Sequence, residues 1–223
     1  MNLHPIARQI VDVAADEQAI AYVKKETKAD GSVFASFYFC DWETLQSRPA
    51  TEPAYLRLKF GEAGARAADY LGEFFTCRAA RLPDGGCAAL RSDGNLCLFR
   101  PDGSLGAFFP LEYRGAPAYD IAGEGDGLWF TAPGRDAVAL FSLRTREISL
   151  RVGGAGVFAQ PTGLFRHAHN LFVCNAGSGA VKTLQLPAYE VVGTTQFDIP
   201  PEKYFAVFRR RFVWMDGALY VIR

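Results

Sequence analysis

The sequence of 223 residues predicts an all-β fold, a β-propeller that forms one domain over residues 1–223. Two observations support this prediction: an internal repeat of about 42 residues, which is the length of one propeller blade, and regularly spaced turn signals. The composition agrees, because 49% of the residues are hydrophobic and 22% are charged, as in a globular domain that buries a core. The length accommodates five four-stranded blades.

The repeat is clearest between residues 127–143 (GLWFTAPGRDAVALFSL) and 170–186 (NLFVCNAGSGAVKTLQL), which align without a gap. Related strand-turn-strand segments lie at 86–99 and 211–222. Most copies have a further apolar segment on each side, so the repeat unit is predicted to contain four antiparallel strands. Eighteen Phe, nine Tyr and three Trp residues supply large side chains for the interfaces between blades.

The turn signals are Asp-Gly pairs, three of which begin at residues 84, 93 and 102. Both residue types tolerate the positive φ angles that tight hairpin turns require. The gaps between these pairs leave room for short strands and none for a helix. This spacing predicts an antiparallel meander.

The N-terminal segment is predicted to contribute the first blade. Residues 11–14 resemble the innermost strand of a later repeat, and further strands are expected at 19–23, 32–41 and 54–60. A short helical insertion is predicted near residues 61–75, between the first and second blades.

The last repeat has only three strands, so closure of the ring needs a fourth strand from elsewhere. Residues 1–10 are expected to supply it, because an open ring would leave sheet edges exposed. Apolar residues at helical spacing leave a helix within residues 5–25 as the alternative.

Repeats 127–143 and 170–186 share the pattern Leu-aromatic-hydrophobic, then Gly, Val and Leu. This pattern resembles the repeats of NHL and SMP-30/gluconolactonase-like β-propellers, and the resemblance covers most of the chain as architecture. Such propellers mostly have six or seven blades, whereas this chain has the length for five. Tachylectin-like lectins share the blade number only, because no matching sugar-binding motif is present.

Polar residues of loops at one rim of the predicted ring are the candidate ligand-binding residues. They are Asp12, Arg91, Asp120, Asn175 and Asp216. No G-x-S-x-G, P-loop or H-E-x-x-H motif is present, so no catalytic residue is assigned. The main prediction is a non-catalytic interaction module that binds a protein, a peptide or a small ligand at this rim, without a cofactor.

The resemblance to lactonase-type propellers implies an alternative function, a metal-dependent hydrolase acting in the central funnel. Asp12, Asp120 and Asn175 imitate in kind the Glu, Asn and Asp set that holds a divalent metal such as calcium in those proteins. No Glu stands at the expected start of the first blade. Asp and Asn are also frequent in turns for conformational reasons.

Several other motifs are interpreted as structural. His167 and His169 form a His-Ala-His motif that is expected in a turn at the opposite rim, and the glycine-rich segment 153–156 precedes no helix. The arginine run at 209–211 fits a hairpin turn. The three cysteines that lie ten residues apart, Cys77, Cys87 and Cys97, fit buried thiols better than a zinc site.

The charges exclude some classes of partner. Lys and Arg number 24 and Asp and Glu also number 24, which argues against a nucleic-acid footprint or an electrostatic membrane anchor. The first residues lack the basic-then-apolar order of a secretory signal, and no stretch of about 18 apolar residues is present. A cytoplasmic location is therefore predicted, with no nucleic-acid partner and no membrane association.

Overall fold

The computed structural model describes residues 1–153 and 156–223. It shows five four-stranded antiparallel sheets arranged as the blades of a ring, and a separate two-stranded hairpin. The fold is a five-bladed β-propeller, which confirms the fold class predicted from the sequence. Within the described ranges, no helix has both the length and the apolar character needed to cross a membrane.

The elements follow one another along the chain in this order. The first strand is β1 (Leu3–Arg8). Blade 1 contains β2 (Ile10–Ala15), β3 (Ile20–Thr27), β4 (Val33–Cys40) and β5 (Ser47–Ala50). The helices are α1 (Glu52–Phe60) and α2 (Gly64–Leu71), with short 3-10 helices at Gly61–Ala63 and Phe74–Thr76. Blade 2 contains β6 (Arg78–Arg81), β7 (Cys87–Leu90), β8 (Asn95–Phe99) and β9 (Leu105–Pro110).

A hairpin of β10 (Glu112–Tyr113) and β11 (Ala116–Pro117) leads into the second half of the ring. Blade 3 contains β12 (Ile121–Glu124), β13 (Gly127–Ala132), β14 (Ala137–Ser142) and β15 (Glu147–Val152), with a 3-10 helix at Pro133–Arg135. Blade 4 contains β16 (Pro161–His167), β17 (Asn170–Asn175), β18 (Ala180–Gln185) and β19 (Glu190–Gln196), with a 3-10 helix at Ala176–Ser178. Blade 5 contains β20 (Lys203–Val207), β21 (Arg210–Met215) and β22 (Ala218–Ile222), together with β1.

The two ends of the chain meet in blade 5 and close the ring. Strand β1 pairs antiparallel with β22, so that Leu3 lies opposite Ile222. The backbones of Asn2 and Arg223 continue the ladder with N–O distances of 2.9 and 3.4 Å. The expectation that residues 1–10 supply the missing outer strand is confirmed, and the alternative of a helix within residues 5–25 is wrong.

Burial within a blade is greatest for an inner strand and least for the outer strand, as blade 3 shows. All six residues of β13 are buried, because both faces of an inner strand are covered by neighbouring blades. The outer strand β15 is mostly exposed. Large side chains such as Trp129 and Phe130 fill the space between blades. At Gly163 an added Cβ would lie 2.1 Å from the carbonyl oxygen of Glu202, so blades 4 and 5 approach closely only because this residue is glycine.

The helical insertion differs in extent from the prediction. Residues 54–60 were expected to form the outer strand of blade 1, but they belong to α1, and Ser47–Ala50 provides that strand instead. The helical segment therefore begins at Glu52 and not near residue 61. The Thr51 hydroxyl caps α1 by accepting a hydrogen bond from the Ala54 amide at 3.4 Å.

The insertion fills the interface between blades 1 and 2. Helix α1 packs against β2, β3 and β4 on one side and against β6 and β7 on the other. Side chains on more than one face of α1 are buried: Tyr55, Leu56, Leu58 and Phe60. A helix covered on both sides needs no apolar stripe at helical spacing, which explains why the sequence pattern resembled a strand.

Candidate functional site

A cavity of about 320 Å³ lies along the axis of the ring. It is lined by the innermost strand of every blade, which are β2, β6, β12, β16 and β20, and by the last turn of α1. Ionisable side chains stand at both ends of this cavity.

Asp12 and Lys59 form a buried ion pair at the more buried end of the cavity, the inner end. Asp12 is 2% exposed on β2, and Lys59 is 8% exposed near the end of α1. The Lys59 ammonium donates to a carboxylate oxygen of Asp12 and, at 2.7 Å, to the carbonyl oxygen of Phe74. Burial lowers the pKa of Lys59, and the adjacent Asp12 carboxylate opposes that shift. The insertion thus supplies the cation that neutralises an aspartate of blade 1.

Asp120 and Lys203 form a second pair that joins three blades. The fully buried Asp120 precedes β12, and its two carboxylate oxygens lie 3.0 and 2.9 Å from the Lys203 ammonium. The same carboxylate accepts hydrogen bonds from the amides of Ile121 at 2.9 Å and Leu164 at 2.7 Å. Through these bonds this carboxylate crosslinks blades 3, 4 and 5.

Arg78 opens β6 at the same end and lines the cavity. The carbon of its guanidinium lies 5.6 Å from the centre of the Tyr119 ring and 5.7 Å from that of the Trp214 ring. Burial disfavours its charge, but the nearby carboxylates of Asp120 and Asp12 outweigh this and raise the pKa of Arg78. A hydrogen bond with the Tyr119 side chain also favours the charged form of Arg78. Among the described residues, no carboxylate oxygen lies within 4 Å of its guanidinium, so Arg78 has no ion-pair partner.

The inner end of the cavity therefore carries one more positive than negative charge. The two carboxylates, Asp12 and Asp120, are each bound by a lysine. Arg78 is the third cation, and neither carboxylate forms an ion pair with it. An unpaired cation in a mostly buried position favours an anion beside it.

The other end of the cavity is more exposed. Asp16 and Arg81 form an ion pair there with an N–O distance of 2.5 Å. Burial alone would raise the pKa of Asp16, but hydrogen bonds from Arg81 and from the amides of Gln18 and Ala19 hold it below its ordinary value. Arg166 also lines this end, and its buried Nε has no partner among the described atoms.

Two of the five predicted ligand-binding residues belong to this site. Asp12 lines the cavity, and Asp120 bonds to Leu164 and Lys203, which line it. The structure places both aspartates at the axial end of their blades. Their role in binding a ligand stays a prediction.

The other three predicted residues lie outside the lining of the cavity. The buried Asn175 accepts a hydrogen bond from the Ala159 amide at 2.7 Å and donates to the Ser178 hydroxyl, so it fixes the loop that enters blade 4. Arg91 follows β7 and pairs with Asp93 at 3.4 Å. Asp216 occupies the turn between β21 and β22 with a φ of 49°.

Three cationic residues of the site were not identified from the sequence: Lys59, Arg78 and Lys203. Arg78 and Lys203 are the first residues of the innermost strands β6 and β20, and this position was a usable signal. Lys59 gave no such signal, because its segment was assigned to a strand at the outside of blade 1.

The aspartates do not fit the metal site of the alternative function. A divalent cation needs carboxylate oxygens that are free of other cations. Asp12 and Asp120 are instead bound by lysines, and Arg78 adds a third positive charge nearby. Across residues 1–153 and 156–223, no group of three or more His, Cys, Asp and Glu side chains is placed to hold a metal.

The motifs interpreted as structural lie mostly where they were expected. His167 and His169 flank the turn between β16 and β17, and His167 lies 3.9 Å from the Glu17 carboxylate. Residues 209–211 span the end of the turn between β20 and β21 and the start of β21. The glycine-rich segment 153–156 lies partly outside the described residues.

All five cysteines are buried free thiols, as the sequence predicted. Burial raises the pKa of Cys40 and Cys97 to about 11 and that of Cys87 to about 12. We therefore expect no rapid reaction of the native protein with a thiol-specific reagent near neutral pH, and reaction of five thiols after unfolding in guanidinium chloride. If the reagent releases a chromophore on reaction, its absorbance gives the number of thiols that react in the native protein and the number that react after unfolding. Rapid modification of one native thiol would contradict this burial.

The chain matches no protein-family model and no curated protein. It is similar in structure to the WD40 β-propeller domain of Doa1, with a TM-score of 0.58 and 9% identity over 99% of this chain and 96% of that one. It is also similar to virginiamycin B lyase from Staphylococcus aureus, with a TM-score of 0.53 and 10% identity over 92% of this chain and 73% of that one.

A computationally designed protein, Ika4, is similar with a TM-score of 0.50 and 11% identity over 65% of this chain and 88% of that one. At these identities the similarities show the propeller fold alone. The closer resemblance to NHL and gluconolactonase-like repeats stays a prediction.

Proposed function

We propose that the protein is a non-catalytic module that binds a small ligand in its axial cavity. The volume of about 320 Å³ lies at the lower end of the range of small-molecule sites, roughly 300–1,000 Å³. The observation that carries the proposal is the convergence of all five innermost strands on this one cavity. A cavity of this size favours a small molecule over a protein or peptide partner.

The state of the carboxylates supports binding without catalysis. A general acid or base needs a carboxyl group that can exchange a proton with the substrate. The oxygens of Asp12 and Asp120 are already engaged by lysines and by backbone amides. Carboxylates engaged in this way provide fixed charges at the cavity, which suits recognition of a ligand.

The proposal is tested by filling the cavity. Ala79 lines the cavity on β6 and is only partly buried, so Ala79→Phe should place a ring in the ligand space. We expect this variant to abolish binding of fragments from an anionic, cationic and neutral library that bind the wild-type protein, as measured by ligand-observed NMR. Thr194→Phe adds the same ring on the exposed outer strand β19 and should leave binding unchanged.

Circular dichroism and urea unfolding of both variants separate loss of binding from loss of fold. The proposed function is wrong if a folded Ala79→Phe protein binds the same fragments as the wild type.

A further inference from the structure

We propose that the ligand of the axial cavity is a small oxyanion, a carboxylate or a phosphate, and that Arg78 binds it. This inference rests on the proposed function, since it names the ligand class of the same cavity. One observation carries it: Arg78 lines the inner end of the cavity without a carboxylate of its own, beside two aspartates that lysines already bind.

The position of the guanidinium suits recognition of a planar or tetrahedral anion. The Tyr119 and Trp214 rings lie 5.6 and 5.7 Å from the guanidinium carbon of Arg78. Aromatic neighbours restrain an arginine through cation–π contacts, which leave the N–H groups at its edge available as donors. The Tyr119 side chain can engage one of those N–H groups, but in the described part of the chain no carboxylate forms an ion pair with the guanidinium. A carboxylate or a phosphate would accept two of them at once.

The charges of the site point to the same ligand class. The Asp12–Lys59 and Asp120–Lys203 pairs are each neutral, so Arg78 gives the inner end an excess of one positive charge. A single oxyanion at Arg78 would remove this excess. A neutral or cationic ligand would leave the excess in place or increase it.

The exposed end of the cavity adds no net charge to that of the inner end. Arg81 and Arg166 line it, and the buried Nε of Arg166 has no partner among the described atoms. Asp16 and Glu17 also line this end. The cavity as a whole therefore keeps the excess of one positive charge that Arg78 gives its inner end, which favours an anion there.

The test uses inorganic phosphate, succinate and the neutral succinamide as probes. Binding is measured by isothermal titration calorimetry at one ionic strength, held constant with sodium chloride so that general salt effects cancel. We expect phosphate or succinate to bind the wild-type protein and succinamide not to bind. Arg78→Gln should weaken oxyanion binding by about ten- to a hundredfold, and Arg78→Lys should weaken it less, because a lysine keeps the charge but not the paired donors.

Two controls keep the test decisive. Arg209→Gln removes a positive charge from an exposed turn and should leave the affinity unchanged. Thermal unfolding without ligand should show that Arg78→Gln is folded at the temperature of the titration with a modest loss of stability, because the carboxylates of Asp120 and Asp12 favour the charge of Arg78. If Arg78→Gln fails to fold, Arg78→Lys decides, since it retains the charge balance.

The probes also separate the sources of the oxyanion. Binding of phosphate without succinate assigns a phosphate ligand, and the reverse assigns a carboxylate ligand. The inference is overturned if neither oxyanion binds, or if folded Arg78 variants bind as tightly as the wild type. If Ala79→Phe still blocks neutral fragments in that case, the proposed function stands and only the ligand class is wrong.

Discussion

Asp12→Ala is expected to destabilise the protein by about 3–5 kcal/mol, because it leaves the Lys59 ammonium buried without its carboxylate. The substitution also raises the excess positive charge at the inner end of the cavity, where Arg78 is already unpaired. Urea-induced unfolding followed by circular dichroism measures the change in the free energy of unfolding.

The double variant Asp12→Asn, Lys59→Met provides the matched comparison. It removes both charges together, leaves the net charge of the site unchanged, and should recover most of the lost stability. Glu62→Ala removes the exposed ion pair between Arg57 and Glu62 and should change stability by no more than about 0.5 kcal/mol. A loss below about 1 kcal/mol for Asp12→Ala would show that the Lys59 ammonium reaches water without Asp12.

Deletion of residues 1–8 is expected to destabilise the protein by at least about 3 kcal/mol, because it removes the outer strand of blade 5 and its ladder of hydrogen bonds to β22. The deletion also uncovers the edge of β22, which then offers free backbone groups to other molecules. Urea unfolding reports the loss of stability, and size-exclusion chromatography reports the expected self-association.

A circular permutant keeps strand β1 but moves it from the start of the chain to its end, so it tests the effect of the strand apart from its place in the sequence. The Arg223 amide donates to the Asn2 carbonyl at 2.9 Å, so a short glycine linker can join residue 223 to residue 1. New ends between Arg8 and Gln9 fall at exposed positions. This permutant should be monomeric and close to the wild type in stability. If it is as unstable as the deletion, the loss does not arise from the missing strand.

The propeller was predictable because its information is local and repeated. Leu128 and Leu171 occupy equivalent positions of β13 and β17, and the glycines at 134 and 177 mark the same turn in both blades. The helical insertion was less predictable. Within it, residues 56–60 alternate between apolar and basic side chains as a strand does, while burial on two sides hides the helical period.

The candidate site was predictable only in part. Asp12 and Asp120 could be found because each stands at or near the start of an innermost strand. Their partners could not be found in this way, because Lys59 is 47 residues from Asp12 and Lys203 is 83 residues from Asp120. Pairings over such separations depend on which blades become neighbours, and local sequence patterns do not contain that information.

Lys59 reaches the axis from α1, a segment that interrupts the repeats and belongs to no blade. Exchange of residues 51–77 for another helical segment could therefore alter the charge inside the ring while every sheet stays intact. In this molecule, selectivity for a bound compound can diverge independently of the scaffold that encloses it.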